Sequence, residues 1–390
     1  MSEKNDIYGR EKRLETLLEK IRENRGSENA DNLLGYGKYM LLNGIGVERR
    51  EKVIRTLYLA SQWQEKPFVQ MERADLEDIV ERIERSKESE WTKHDYEVII
   101  KKFFKWLRKT EEYPPEAKWI KPKNVKNGKL PEDLLTKEEV KSMIDCAQNP
   151  RDKAMIAVLY ESGCRVGELC NLNIKNITFD EYGCVVLFPR GKTGPRRVRL
   201  AFSTPFLATW IDNHPLKDPD SWLWVNLGQT NRNEAMRYAG VNKMLRSVAK
   251  KAGVKKSVNP HNFRHSRATR LASSFTEAQL CEYLGWAQGS SVPQVYVHMS
   301  GRDLDSAVLK MNGIKIEEEK EEEDPLKPVK CPRCGTISVG NFCTRCGAVL
   351  NTKTAVELED KEKDVDEKLA MVLKKKEVRS LLKKILEEEL

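Results

Sequence analysis

Between Pro260 and Arg270 the chain reads PHNFRHSRATR, and LGWAQGSSVPQVYVHMSG follows with Tyr296 inside it. His261 and Arg264 stand three residues apart, while Arg165 lies upstream in SGCRVGEL. Attack on a backbone phosphate builds negative charge on its non-bridging oxygens. A metal-free site must meet that charge with planar, bidentate donors, which guanidinium supplies and ammonium does not. Arg165 and Arg264 fit that need. A tyrosine nucleophile keeps the energy of the broken ester in a phosphotyrosyl bond, so resealing needs neither ATP nor metal. Tyr296 fits that role. The departing sugar oxygen needs a proton, which a basic side chain on a mobile hairpin can deliver. Lys192, in RGKTGPRRVRL, is the candidate. Singly, an Arg on a helix is usually ion-paired and a Tyr is usually half-buried packing. The ordered set is what points to cutting and rejoining of DNA strands.

These residues resemble the tyrosine recombinase family, also called the phage integrases, and look closest to its archaeal Xer-like members. The resemblance runs roughly from Leu134 to Ile314 and rests on SGCRVGELCNL, GKTG, PHNFRHSRATRLA, LGW and VYVHMSG. It implies an active site of Arg165, Lys192, His261, Arg264, Trp286 and Tyr296, with Glu168 supporting Arg165 from one helical turn on. The family uses either His or Trp at the position of Trp286. In one departure, the stretch from Trp286 to Tyr296 is a residue longer than the commonest form and contains Pro293. Attack by Tyr296 in its own subunit or in a neighbour's therefore both stay open. His265 and His298 read as supporting hydrogen bonders, neither acid, base nor metal ligand.

The resemblance implies a site-specific recombinase or integrase that leaves a 3′-phosphotyrosyl link and a free 5′-hydroxyl, with no catalytic cofactor. It further implies double-stranded DNA as partner and a tetramer holding two duplexes. Two alternatives stand beside it: relaxation of the topoisomerase IB kind, and a catalytically silent DNA-binding regulator carrying a zinc ribbon.

The elements that must position these residues read as mainly α with a small β-hairpin, an α+β fold. From residue 9 to 110 apolar residues recur at helical spacing, broken at Arg25-Gly26-Ser27 and at Asn43-Gly44-Ile45-Gly46, which fits five short helices. The last has Thr92 as its expected N-cap and Tyr96, Ile99, Ile100, Phe103, Trp106 and Leu107 on one face. Lys101, Lys105 and Arg108 lie elsewhere around it and are candidate DNA contacts, against the plainer reading of a solvated face. By the resemblance, residues 1–112 form a helical, SAM-like core-binding domain. A Pro-rich linker spans 113–133, and the catalytic domain, 134–316, opens with a Thr136/Glu139 capping box. Within it, Cys184 to Phe188 and Arg197 to Leu200 form a hairpin tipped by Lys192, with Arg196, Arg197 and Arg199 beside it as further candidate DNA contacts. A last helix is expected over Asp303 to Met311.

An acidic spacer covers 317–328; its run EEEKEEED holds seven acids and one Lys. The whole chain is at +9, so the rest carries +15, a balance that favours a polyanionic partner. Residues 329–350 hold CPRCGTISVGNFCTRCG. Its two Cys-x-x-Cys-Gly knuckles, Cys331, Cys334, Cys343 and Cys346, predict one tetrahedral structural zinc with no open coordination position. The other five of nine Cys are scattered singly and read as reduced, buried thiols. Residues 351–390 form a charged helical tail. With no signal-like apolar start and no run of about 18 apolar residues, a soluble cytoplasmic protein without membrane contact is expected.

Overall fold

Helix caps and apolar stripes decide where the elements begin, and the computed structural model shows which of them pack. It describes residues 6–23, 27–123, 131–189, 191, 194–299, 311–312, 324–374 and 378, with side chains omitted at 131 and 297–299. Arg190, Lys192, the His298 side chain, the acidic run 317–323 and nearly all of the helix expected at 303–311 lie outside that set. Among the described residues, no helix is long and apolar enough to cross a membrane. The chain divides into two units, residues 4–129 and 130–390.

The first unit has the five expected helices: α1 (Arg10–Glu23), α2 (Glu28–Leu42), α3 (Val47–Ser61), α4 (Arg73–Glu84) and α5 (Glu90–Leu107). Ser89, not Thr92, caps α5: its hydroxyl accepts from the Thr92 amide at 3.2 Å, and Thr92 bonds back to it at 2.9 Å from inside the first turn. Two capping residues three apart compete, and the upstream one wins because Glu90 and Trp91 are themselves helical. Ile99, Ile100, Phe103 and Phe104 bury on α2, α3 and α4, and Trp106 tilts against Tyr36. The expected linker starts later than 113. A short helix, α6 (Pro115–Lys118), brings Ala117 and Ile120 into the same core, where both are buried.

The second unit is built around α8 (Pro150–Ser162). Asn149 caps it, Pro150 opens it, and it is buried along most of its length. Against it pack α7 (Lys137–Cys146), which has the expected Thr136/Glu139 box, α10 (Thr204–Asp212) and α12 (Pro260–Ala272). The hairpin of β2 (Gly183–Phe188) and β3 (Arg196–Leu200) is joined by a strand not anticipated, β1 (Ile177–Asp180), in an antiparallel sheet ordered β1-β2-β3. Phe179 and Asp180 of β1 are exposed, so this edge strand lacks the apolar alternation that marks a buried one. The buried Glu161 carboxylate accepts from the amides of Ala201 and Ser203 at 2.7 and 2.8 Å and fixes the end of β3 to α8. The remaining helices are α9 (Val166–Leu169), α11 (Tyr238–Lys251), α13 (Glu277–Leu284) and α14 (Val292–Met299). Two short strands, β4 (Pro328–Lys330) and β5 (Ile337–Val339), and a long helix, α15 (Thr352–Lys374), complete the chain.

Candidate active site and metal centre

Two helix ends hold the two arginines. At the C-terminus of α8, Gly163 adopts φ +55° and turns its carbonyl to Arg264 Nη1 at 2.8 Å. At the C-terminus of α13, Gly285 adopts φ +64° and its carbonyl accepts from Arg165 Nη2 at 2.8 Å. Unsatisfied carbonyls carry the negative end of the helix dipole, so each glycine presents a ready acceptor to a guanidinium. A Cβ would be crowded at both, 2.9 Å from Leu284 at Gly163 and 2.8 Å from Arg196 at Gly285, and strained by the positive φ. Arg264 also donates to the Leu284 carbonyl at 2.7 Å. Burial, then the charge of Arg165, lowers the Arg264 guanidinium to about 10, so it remains charged at neutral pH.

Glu168 supports Arg165 as expected, accepting from its backbone amide at 2.8 Å and from Nη1 at 2.9 Å. It does more. Arg196 binds the same carboxylate through both guanidinium arms, at 2.7 and 2.8 Å, and is itself buried. Arg196 is thus an internal cation, buried and paired with Glu168 rather than exposed with its strand neighbours. The alternation of RRVRL carried the signal, because Arg196 shares a face with Val198 and Leu200, and that face is buried while Arg197 and Arg199 are exposed. Burial would raise the Glu168 carboxyl, but Arg196 and then Arg165 hold it below the usual carboxylate range. Removing one member of such a buried group leaves an uncompensated charge. Glu168→Ala should destabilise the chain by about 3–5 kcal/mol in denaturant unfolding, far more than a surface ion pair.

Tyr296 lies on α14, where Pro293 falls in the first turn and is tolerated. The phenol is buried within the site of its own chain. Its hydroxyl is 2.6 Å from His265 Nδ1, and its ring stacks on Trp286 with centroids 5.3 Å apart. Trp286 in turn covers the Arg264 guanidinium at 5.2 Å. His261, exposed on α12, packs edge-on to His265 with ring centroids 4.2 Å apart. Burial raises the Tyr296 phenol, an effect partly opposed by Arg264, so it stays protonated at neutral pH. The structure thus gathers Arg165, Glu168, His261, Arg264, His265, Trp286 and Tyr296 at one place. Lys192 lies outside the described residues.

The expected DNA contacts divide differently. Arg108 is spent internally, on Glu116 at 2.6 Å and on the Val69 and Met71 carbonyls. Lys101 donates to the Ile120 carbonyl at 2.6 Å and covers the Tyr113 ring, which straps the segment after α5 to the first unit. Lys105 stands 5.7 Å from the same ring. Arg199 pairs with Asp180 at 2.7 Å on an exposed face, and Arg197 is exposed.

The four clustered cysteines converge. All four Sγ atoms lie within 4.8 Å of one another, with Cys331–Cys346 at 3.6 Å and Cys334–Cys343 at 3.5 Å. Metal–sulfur bonds of about 2.3 Å in a tetrahedron put sulfurs roughly 3.8 Å apart, so the donor set fits one ion. Both knuckles repeat the same turn: Gly335 N donates to Cys331 O, and Gly347 N to Cys343 O, each at 2.9 Å. The remaining thiols are free; burial raises those of Cys164 and Cys170, to about 11 and about 12.

A helical unit in which two carbonyl-held arginines and a buried tyrosine gather round one tryptophan is the arrangement expected of an enzyme of strand breakage and rejoining. The chain belongs to the phage integrase family, the tyrosine recombinases, whose family model matches residues 133–302. It is 28% identical over 294 residues to tyrosine recombinase XerA of Pyrococcus horikoshii, covering 72% of this chain and 94% of that one. It is 30% identical to tyrosine recombinase XerC of Anoxybacillus flavithermus, covering 52% of this chain and 69% of the relative. Among solved structures, a Tn1549 transposon integrase in complex with transposon right end DNA matches with a TM-score of 0.56 at 16% identity, over 73% of this chain and 99% of that one. A lambda integrase dimer bound to a COC' core site matches with a TM-score of 0.56 at 14% identity, over 74% and 80%.

Proposed function

We propose that this chain binds double-stranded DNA and recombines it at specific sites through a 3′-phosphotyrosyl intermediate formed by Tyr296 of the same subunit. The observation that carries this reading is the stack Arg264–Trp286–Tyr296, in which one indole contacts both the phenol proposed as nucleophile and the guanidinium proposed to receive the phosphate charge. Tyr296 oxygen attacks phosphorus, the O–P bond forming as the bond to the 5′ oxygen breaks, and its proton passes to solvent with the assistance of His261. The 5′ oxygen leaves and takes one from Lys192. Arg165 and Arg264 meet the growing charge on the non-bridging oxygens with the N–H groups that the carbonyls do not occupy. His261 hydrogen-bonds the phosphate and assists proton transfer, while Trp286 positions phenol and guanidinium together. The free 5′-hydroxyl then attacks the partner duplex, within a tetramer on two duplexes. Arg197, Arg199 and Lys105 are the remaining candidates for backbone contacts. The cysteine cluster holds a structural Zn²⁺ that takes no part in the chemistry.

The test is covalent trapping without Mg²⁺ or ATP, on a plasmid carrying the DNA that flanks the protein's own gene. A denaturant-resistant adduct whose nucleotide-bearing peptide contains Tyr296 is expected. An adduct on another residue, or cleavage that depends on added metal, would overturn the reading.

A further inference from the structure

The helix α15 lies beyond the family match and none of its residues is buried. Leu358, Val365, Leu369 and Val372 are 39, 60, 54 and 44% exposed. Helices in water normally depend on burying an apolar face, and this one buries none within its own chain. Four of its seven large apolar residues fall on one seam of a seven-residue frame, while Val356, Met371 and Leu373 lie at b, c and e. With Ala355 as position a, Leu358 falls at d, Glu362 at a, Val365 at d, Leu369 at a and Val372 at d.

The flanking charges choose the partner. In that frame Lys361 and Lys368 occupy g, while Glu359 and Asp366 occupy e. Two parallel helices in register set each g against the e that follows it on the partner, which brings Lys361 to Asp366, the one oppositely charged pair, while Thr354 meets Glu359 and Lys368 meets Leu373. An antiparallel pair sets g against g and e against e, lysine facing lysine and acid facing acid. Neither Lys361 nor Asp366 has an ion-pair partner among the described residues, whereas Lys368 is paired with Asp364 at 2.6 Å. We propose that α15 pairs, parallel and in register, with α15 of a second copy of this chain. Glu362, facing its equivalent at a, weakens the pair and pins its register, as polar a residues do. The paired stretch is about 27 Å long, so its affinity alone is modest and grows when other contacts already hold two copies together.

The test is sedimentation equilibrium of the full chain without DNA, which does not depend on the catalytic reading. A concentration-dependent dimer is expected. Leu369→Glu should raise its dissociation constant at least about tenfold, Lys361→Glu should raise it too, and adding Asp366→Lys to the latter should restore it. Glu362→Leu should tighten the dimer. A chain that stays monomeric to about 100 μM, or a dimer indifferent to Leu369→Glu, overturns the proposal. A dimer weakened by Lys361→Glu that the paired exchange does not rescue overturns the parallel register.

Discussion

Arg264→Lys should cut DNA about 100- to 1,000-fold more slowly than the parent chain in single-turnover assays on a nicked suicide substrate. The expectation follows from what the guanidinium does with its arms. It spends one N–H on the Gly163 carbonyl and another on the Leu284 carbonyl, and it is fixed in place under Trp286. An ammonium cannot hold two backbone carbonyls and still present a planar donor pair to a phosphate. It would also lose charge more readily, because burial beside Arg165 already lowers the arginine to about 10. DNA binding, measured alongside, should fall far less, since transition-state charge is what the residue meets. Near-parental cleavage by this variant would defeat the role given to Arg264.

Stripping the metal from the cysteine cluster, by chelation or by Cys331→Ser, should unfold the segment around β4 and β5 while leaving the Tyr296 adduct reaction intact. Few apolar side chains are buried there, chiefly Leu326 together with Cys331 and Cys343. With zinc bound as proposed, metal binding would supply the folding energy; in comparable small modules it contributes about 10–16 kcal/mol of apparent free energy. Limited proteolysis should cut within 329–350 only after metal removal, and elemental analysis of the parent should find one zinc per chain. A protease-resistant segment in metal-free protein would contradict the assignment.

Much of this was readable from residue types because the relevant rules are local. The Thr136/Glu139 box, the five N-terminal helices and the paired cysteine knuckles each depend on neighbours a few residues apart. What escaped depends on tertiary partners. Arg196 looked like part of a basic strand, and only the sheet's register turns it inward onto Glu168. Arg108 and Lys101 looked like a charged helix face, yet the segment after α5 folds back and consumes both. The Ser89 cap was missed because Thr92 offered the same chemistry a turn later. The partner of the Tyr296 hydroxyl was legible as a supporting residue, His265, but not as a direct 2.6 Å contact, which needs α12 and α14 side by side.

Gly163 and Gly285 bear on how this protein would be dissected by genetics. Neither has a functional group, yet each sits at a positive φ where a Cβ would be strained and crowded, and each carbonyl anchors one of the two arginines. A random screen for inactive variants should return them beside Arg165 and Arg264, with the protein folded and the arginines present but misaimed. A map of essential positions drawn from such a screen would therefore be wider than the set of groups that touch DNA.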